Sequence, residues 1–153
     1  MKKVGKWTVA ILAVALLVIQ LIPINRTNPP VETEISPPPE VLSVLRRSCY
    51  DCHSNETVWP WYSRVAPVSW LVAGDVKEAR HALNFSTWNR LGSEERLEAV
   101  HEIWDEVSEG KMPLWFYLPL HPDARLSDSD RSVIQAWSRS AGSEGGGENG
   151  PGF

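Results

Sequence analysis

Apolar positions along this chain form one uninterrupted block followed by four spaced stripes. The block runs from Trp7 to Ile24, 18 residues without a charge, behind Lys2, Lys3 and Lys6. That length lies at the short end of what crosses a bilayer as a helix. The preceding lysines predict a cytoplasmic N-terminus and an exported remainder. A cleaved signal peptide is the competing reading, but the residues after the apolar core, from Gln20 to Arg26, contain no small-x-small site. Residues 1–24 are therefore expected as an uncleaved transmembrane anchor in a bacterial inner membrane, single-pass, with the rest on the periplasmic side.

The four stripes have helical spacing. Val41, Leu45, Cys49 and Cys52 recur at i, i+4, i+8 and i+11. Pro67 opens a second helix at its first position, with Val68, Leu71, Val72, Val76, Ala79 and Leu83 on one face. Ser93 caps a third, with Leu97, Val100, Trp104 and Val107 inward and Gly110 ending it. Ser127 caps a fourth, which buries Val133, Ile134 and Trp137. Nothing alternates at period two, so the fold class is all-α. Residues 25–39, with Pro29-Pro30 and Pro37-Pro38-Pro39, read as a semi-rigid linker. Residues 140–153 are mostly Gly, Ser and Glu and read as a disordered tail. One small domain, residues 40–139, remains between them. A core of that size gains from a large apolar cofactor.

Chemistry concentrates at Cys49-Tyr50-Asp51-Cys52-His53, the only cysteines in the chain. C-x-x-C-H is the attachment signature of c-type haem. Two thiols at this spacing reach the two vinyl groups of one porphyrin, and the next histidine supplies the proximal iron ligand. Met112 is the only methionine besides Met1 and sits in Gly110-Lys111-Met112-Pro113, past the third helix. A thioether on such a loop suits the distal position, and Pro113 biases Met112 towards extended backbone. The metal ligands are thus expected to be His53 and Met112, and the cofactor one covalently attached haem c. Packing in a core gap is the plain alternative for Met112.

Other readings of the two cysteines are weaker. A redox dithiol belongs beside a β-α-β pattern, which is missing here. A zinc site needs further ligands, and His81, His101 and His121 stand about twenty residues apart with no paired histidine. His121 is the next candidate for an axial ligand, followed by His101 and His81. Trp59, Trp61 and Tyr62 follow the motif closely and suit either porphyrin contact or ordinary packing. Pro60 and Pro67 offer carbonyls that would orient His53 through Nδ1.

The first 22 residues hold three lysines and no acid. Of 15 basic and 19 acidic residues in the chain, 12 and 19 therefore fall in the rest, a formal −7. That balance disfavours nucleic acid as a partner.

A helix leading into the C-x-x-C-H motif, and a late Gly-Lys-Met-Pro before a final helix, resemble class I cytochrome c. The chain is more closely similar to the bacterial haem-binding domain family. The stretches that carry the likeness are Ser48 to Thr57, Trp59 to Ser63, Ala66 to Trp70, Leu83 to Trp88, Gly110 to Pro113 and His121 to Ser127. The resemblance implies haem on Cys49 and Cys52, His53 proximal and Met112 distal. A six-coordinate iron of that kind implies a membrane-anchored electron carrier, not an enzyme, with unknown redox donor and acceptor proteins in the cell envelope. The alternative is a haem peroxidase or a gas or redox sensor with a labile distal ligand; a haem-free thiol or zinc module is the third reading.

Overall fold

A computed structural model describes residues 2–144 of the chain. Six α-helices account for its regular structure: α1 Lys2–Ile19, α2 Pro39–Ser48, α3 Tyr50–His53, α4 Val68–Ala82, α5 Ser93–Ser108 and α6 Asp128–Glu144. Short 3₁₀ turns lie at Trp61–Arg64, Trp88–Arg90 and Pro122–Ala124. No strand is formed among the described residues, and only an isolated bridge joins Thr33 to Thr87. The all-α expectation holds.

Helix boundaries follow from local chemistry. Pro39 opens α2, where its missing N–H costs nothing. Glu95 Oε2 accepts from the Gly92 N–H at the start of α5. At α6, Ser127 Oγ accepts from the Asp130 N–H while Asp130 Oδ2 accepts from the Ser127 N–H, a reciprocal cap. Gly110, at φ 72°, closes α5. The Lys111 N–H returns to Glu106 O and the Gly110 N–H to Val107 O, the pattern that a left-handed residue after a helix permits.

The core is built by α2, α5 and α6. Val41, Val44 and Leu45 meet Ile103, Val107, Leu126 and Ile134, with Tyr50 and Phe85 completing the cluster. Helix α6 packs on both α5 and α2. Helix α4 packs instead on α3 and on the Trp61–Arg64 turn.

The N-terminal expectation requires correction. Among the described residues no helix is long and apolar enough to cross a membrane. Helix α1 spends its first turns on Lys2, Lys3 and Lys6 and stops at Ile19. Its uncharged part, Trp7 to Ile19, spans only about 20 Å, against roughly 30 Å of hydrocarbon. Beyond it the chain turns at Gln20 and packs on the domain.

Residues 25–39 do not hold the domain at a distance; they run along it. The Glu32 and Thr33 N–H groups donate to Ser86 O, the Ile35 N–H to Phe85 O, and Ile35 is 3% exposed. Arg80 on α4 ties this stretch down by donating to Thr27 O, Asn28 Oδ1, Ser54 O and Thr57 Oγ1. Proline keeps such a segment extended, and the neighbouring backbone groups supply the bonds. Helix α6 continues past Arg139 to Glu144, into the stretch expected as tail. The remainder of that tail, 145–153, lies outside the described residues.

Candidate haem site

The motif is a single turn wedged between two longer helices. Helix α2 ends because Cys49, at φ −127° and ψ −31°, leaves helical geometry after its N–H bonds Leu45 O. The chain then re-enters a helix at once. The N–H groups of Cys52 and His53 both donate to Cys49 O, at 3.1 and 2.9 Å. Cys49, Cys52 and His53 thereby share one turn. Tyr50, between them in sequence, anchors that turn inward: it is buried, its ring stacks on Phe85 at 5.2 Å, and its hydroxyl donates to Glu34 Oε1 at 2.9 Å.

The stretch from Leu83 to Ser86 braces the motif from the end of α4. The His53 imidazole lies 3.1 Å from Leu83 O through Nδ1. A carbonyl only accepts, so Nδ1 carries the proton and Nε2 keeps its lone pair. The Phe85 N–H donates to His53 O at 2.8 Å, and Ser86 Oγ accepts from the Asn55 N–H at 2.9 Å. Leu83, not Pro60 or Pro67, thus orients the histidine. Sequence gave no sign of this, because a backbone acceptor thirty residues away has no side-chain signature.

Burial sets the protonation states. It pushes the Cys49 thiol up to about 12, with Cys52 adding to the effect. It pushes Cys52 up to about 11, reinforced by the charges of Asp51 and Asp75. Burial lowers the His53 value, against the opposing pull of the Leu83 and Ala79 carbonyls. At neutral pH the turn therefore presents two S–H groups and one neutral imidazole. Both thiols are free and not joined as a disulfide. Among the described residues no group of three or more His, Cys, Asp and Glu is gathered to hold a bare metal ion.

A second cluster sits beside Cys52: it joins Tyr62 and His121, both candidates in the sequence, to Asp51 and Tyr117, whose pairing the sequence did not indicate. Asp51 Oδ1 accepts from the Val58 N–H at 3.0 Å, and Asp51 Oδ2 accepts from Tyr117 Oη at 2.8 Å. The Tyr117 ring stacks on His121 at 3.9 Å, and Tyr62 meets the same imidazole edge-on. His121 Nδ1 lies 3.2 Å from Tyr117 O and its Nε2 3.4 Å from Tyr62 Oη, so both ring nitrogens have protein partners. Burial raises the Tyr117 and Tyr62 phenols, with Asp51 and Cys52 pushing the same way.

The other candidates are dispersed. Met112 is half-buried at the start of the loop from α5 to α6, and its N–H donates to Glu106 O at 3.1 Å. It is Tyr117, five residues on, that reaches the motif. Trp59 donates through Nε1 to Asn28 Oδ1, and Trp61 is 76% exposed. His101 pairs with Ser138 Oγ at 2.9 Å, and His81 is exposed. A cleft of about 390 Å³ lined by Ile35, Trp88, Leu97, Val100 and Trp137 contains none of the motif residues.

The donor set suits a porphyrin that brings its own iron. Two free thiols and an imidazole nitrogen with an orienting partner stand on one turn. Asp75 and Arg80 on α4 both act electrostatically on Cys52. Leu71, one turn before Asp75, is 67% exposed, although the apolar stripe predicted it inside. Trp115, Phe116 and Leu120 on the loop after Met112 are exposed as well. Such uncovered apolar side chains suit a flat apolar partner.

A model of the haem-binding domain matches residues 14–140. No curated protein and no solved structure matches the chain. The wider likeness to class I cytochrome c rests on the order of motifs alone. With the match covering most of the chain and the Cys49–His53 turn inside it, this chain belongs to the haem-binding domain family.

Proposed function

We propose that this protein carries one haem covalently on Cys49 and Cys52 and exchanges single electrons in the bacterial cell envelope. The observation that supports this best is the His53 Nδ1–H bond to Leu83 O, which orients the ring and leaves Nε2 for iron. Attachment needs no leaving group. Each thiol adds across one vinyl, sulfur to one carbon and hydrogen to the other. When bound, the haem supplies an iron centre that changes by one electron. The chain's own residues hold it, orient it and exclude water around it.

Met112 is the proposed distal ligand. Gly110 turns the chain out of α5 and Glu106 O fixes the backbone of Met112, so the loop leaves the helix in a defined direction. The Tyr117 bond to Asp51 then fastens the far end of that loop to the motif. If His53 and Met112 both held the iron, no substrate would reach it, which favours a carrier over a catalyst. Redox donor and acceptor proteins of the envelope are its proposed partners. The location follows from the chemistry, since bacteria attach haem to this motif on the outer face of the cytoplasmic membrane. The apolar N-terminal segment is proposed to keep the domain at that membrane.

Spectroscopy of haem-loaded Met112→Ala tests this reading. The wild type in the ferrous state is expected to resist carbon monoxide, and its ferric form to show the weak sulfur-to-iron band in the far red. Met112→Ala is expected to bind carbon monoxide, lose that band and have a lower potential, with haem still attached. Ready carbon monoxide binding by the wild type would favour a sensor or peroxidase. An unchanged Met112→Ala would return Met112 to packing.

A further inference from the structure

Where α1 ends, the chain folds back on the domain around a small polar cavity that the haem reading does not use. The side chain of Gln20 grips the backbone of Ala66 on both sides: Nε2 donates to Ala66 O at 3.1 Å, and Oε1 accepts from the Ala66 N–H at 2.9 Å. Arg26 donates through Nη1 to Ser63 O at 2.8 Å. These two clamps enclose a cavity of about 160 Å³, lined by Gln20, Ile22, Arg26, Arg64, Ala66 and Ser69 among others. That is roughly five water volumes, enough for a phosphate tetrahedron.

Three features of the lining select an anion. Arg26 and Arg64 both face it, no Asp or Glu lines it, and neither arginine is ion-paired among the described residues. Ser69 is 1% exposed and its hydroxyl has no hydrogen-bond partner. A buried hydroxyl without a partner is costly, and a ligand oxygen would satisfy it.

We propose that this cavity binds a phosphate group, delivered as the headgroup of an anionic phospholipid. Arg26 and Arg64 would neutralise the phosphate oxygens and Ser69 would donate to one of them. Free phosphate has the same chemistry. The lipid is favoured because the cavity opens where α1 leaves the domain, and α1 exposes Ile11, Leu12, Leu16 and Leu17 by more than half each. Acyl chains would run along that helix while the headgroup sits at its base.

The test uses full-length haem-loaded protein in a non-ionic detergent, titrated in separate arms with dihexanoyl phosphatidylglycerol and with inorganic phosphate. Phosphorus NMR line broadening reads the binding. Saturable binding of the lipid is expected, with weaker binding of phosphate. Arg64→Gln and Ser69→Ala are each expected to weaken lipid binding by about tenfold, the size of one charge-assisted contact. Ser69→Ala removes a hydroxyl that has no partner, so the unliganded protein is expected to melt no lower than wild type, which separates binding from folding. Equal affinity for inorganic phosphate would overturn the lipid as source. Absence of saturable binding in both arms, or identical binding by wild type and both variants, would overturn the site itself.

Discussion

The imidazole of His53 and the carbonyl of Leu83 are joined by a hydrogen bond of 3.1 Å, across thirty residues of chain. This bond fixes the tautomer, and burial keeps the ring neutral. It makes the end of α4 part of the haem site.

A pH dependence follows for the haem-free protein. The folded His53 value lies below the unfolded value of about 6.5, so below that pH the unfolded state binds more protons. The contribution of a neutral buried His53 is therefore complete above about pH 6.5 and lost as pH falls through the depressed folded value. Urea midpoints of haem-free protein are expected to be lower at pH 5.5 than at pH 7.5. The difference should shrink in His53→Gln; a difference of the same size in that variant would assign it to other groups.

The tyrosines give the opposite dependence. Burial is the leading cause that raises Tyr50, Tyr62 and Tyr117, and carboxylate partners at Tyr50 and Tyr117 add to it. Their stabilising contribution is intact below the unfolded value of about 10 and is lost as pH rises towards the higher folded values. Phenolate absorbance is expected to stay flat through pH 10 and to rise together with alkaline unfolding. A simple titration at pH 10 in folded protein would contradict this.

Tyr117→Phe removes the hydroxyl that donates to Asp51 at 2.8 Å. Loss of a bond to a charged acceptor is expected to cost about 1.5–3 kcal/mol. Because that bond fastens the loop carrying Met112, protease cleavage between residues 111 and 121 is expected to accelerate. Unchanged melting and cleavage would show that the loop is held elsewhere.

Arg80→Ala takes a donor from Ser54 O, Thr27 O, Asn28 Oδ1 and Thr57 Oγ1, of which Asn28 Oδ1 still accepts from Trp59 Nε1. The expected loss by denaturant melting is about 1–3 kcal/mol, chiefly from the part-buried Ser54 O and Thr57 Oγ1. Arg80→Lys is expected to recover only part of it, since an ammonium cannot reproduce the planar fork. Full recovery by lysine would mean that charge alone matters here.

These residues also indicate what sequence reading captures. Capping located α4, α5 and α6 within a residue or so at their starts, because Pro67, Ser93 and Ser127 mark helix starts by local chemistry; periodicity alone located α2, whose first residue, Pro39, was read as the end of the linker. The motif turn was legible because its spacing is itself the chemistry. Long-range relationships were not. Leu83 orients His53 through a backbone atom, and the carboxylate of Asp51 meets Tyr117 66 residues away. Nothing local encodes either bond. The proline-rich stretch misled for a related reason: its extended backbone suits a free linker or a segment laid along a domain, and only Ser86 and Arg80 decide between them. Leu71 was read as buried because periodicity reports an apolar face, not what covers it.

The mass of the denatured protein tests the central claim most directly. Protein from a host that matures c-type cytochromes should weigh the polypeptide plus one haem, and its colour should survive acid extraction with organic solvent. Cys49→Ala together with Cys52→Ala should abolish both. A polypeptide of unmodified mass, or a haem that is extracted freely from the wild type, would contradict covalent attachment at Cys49 and Cys52.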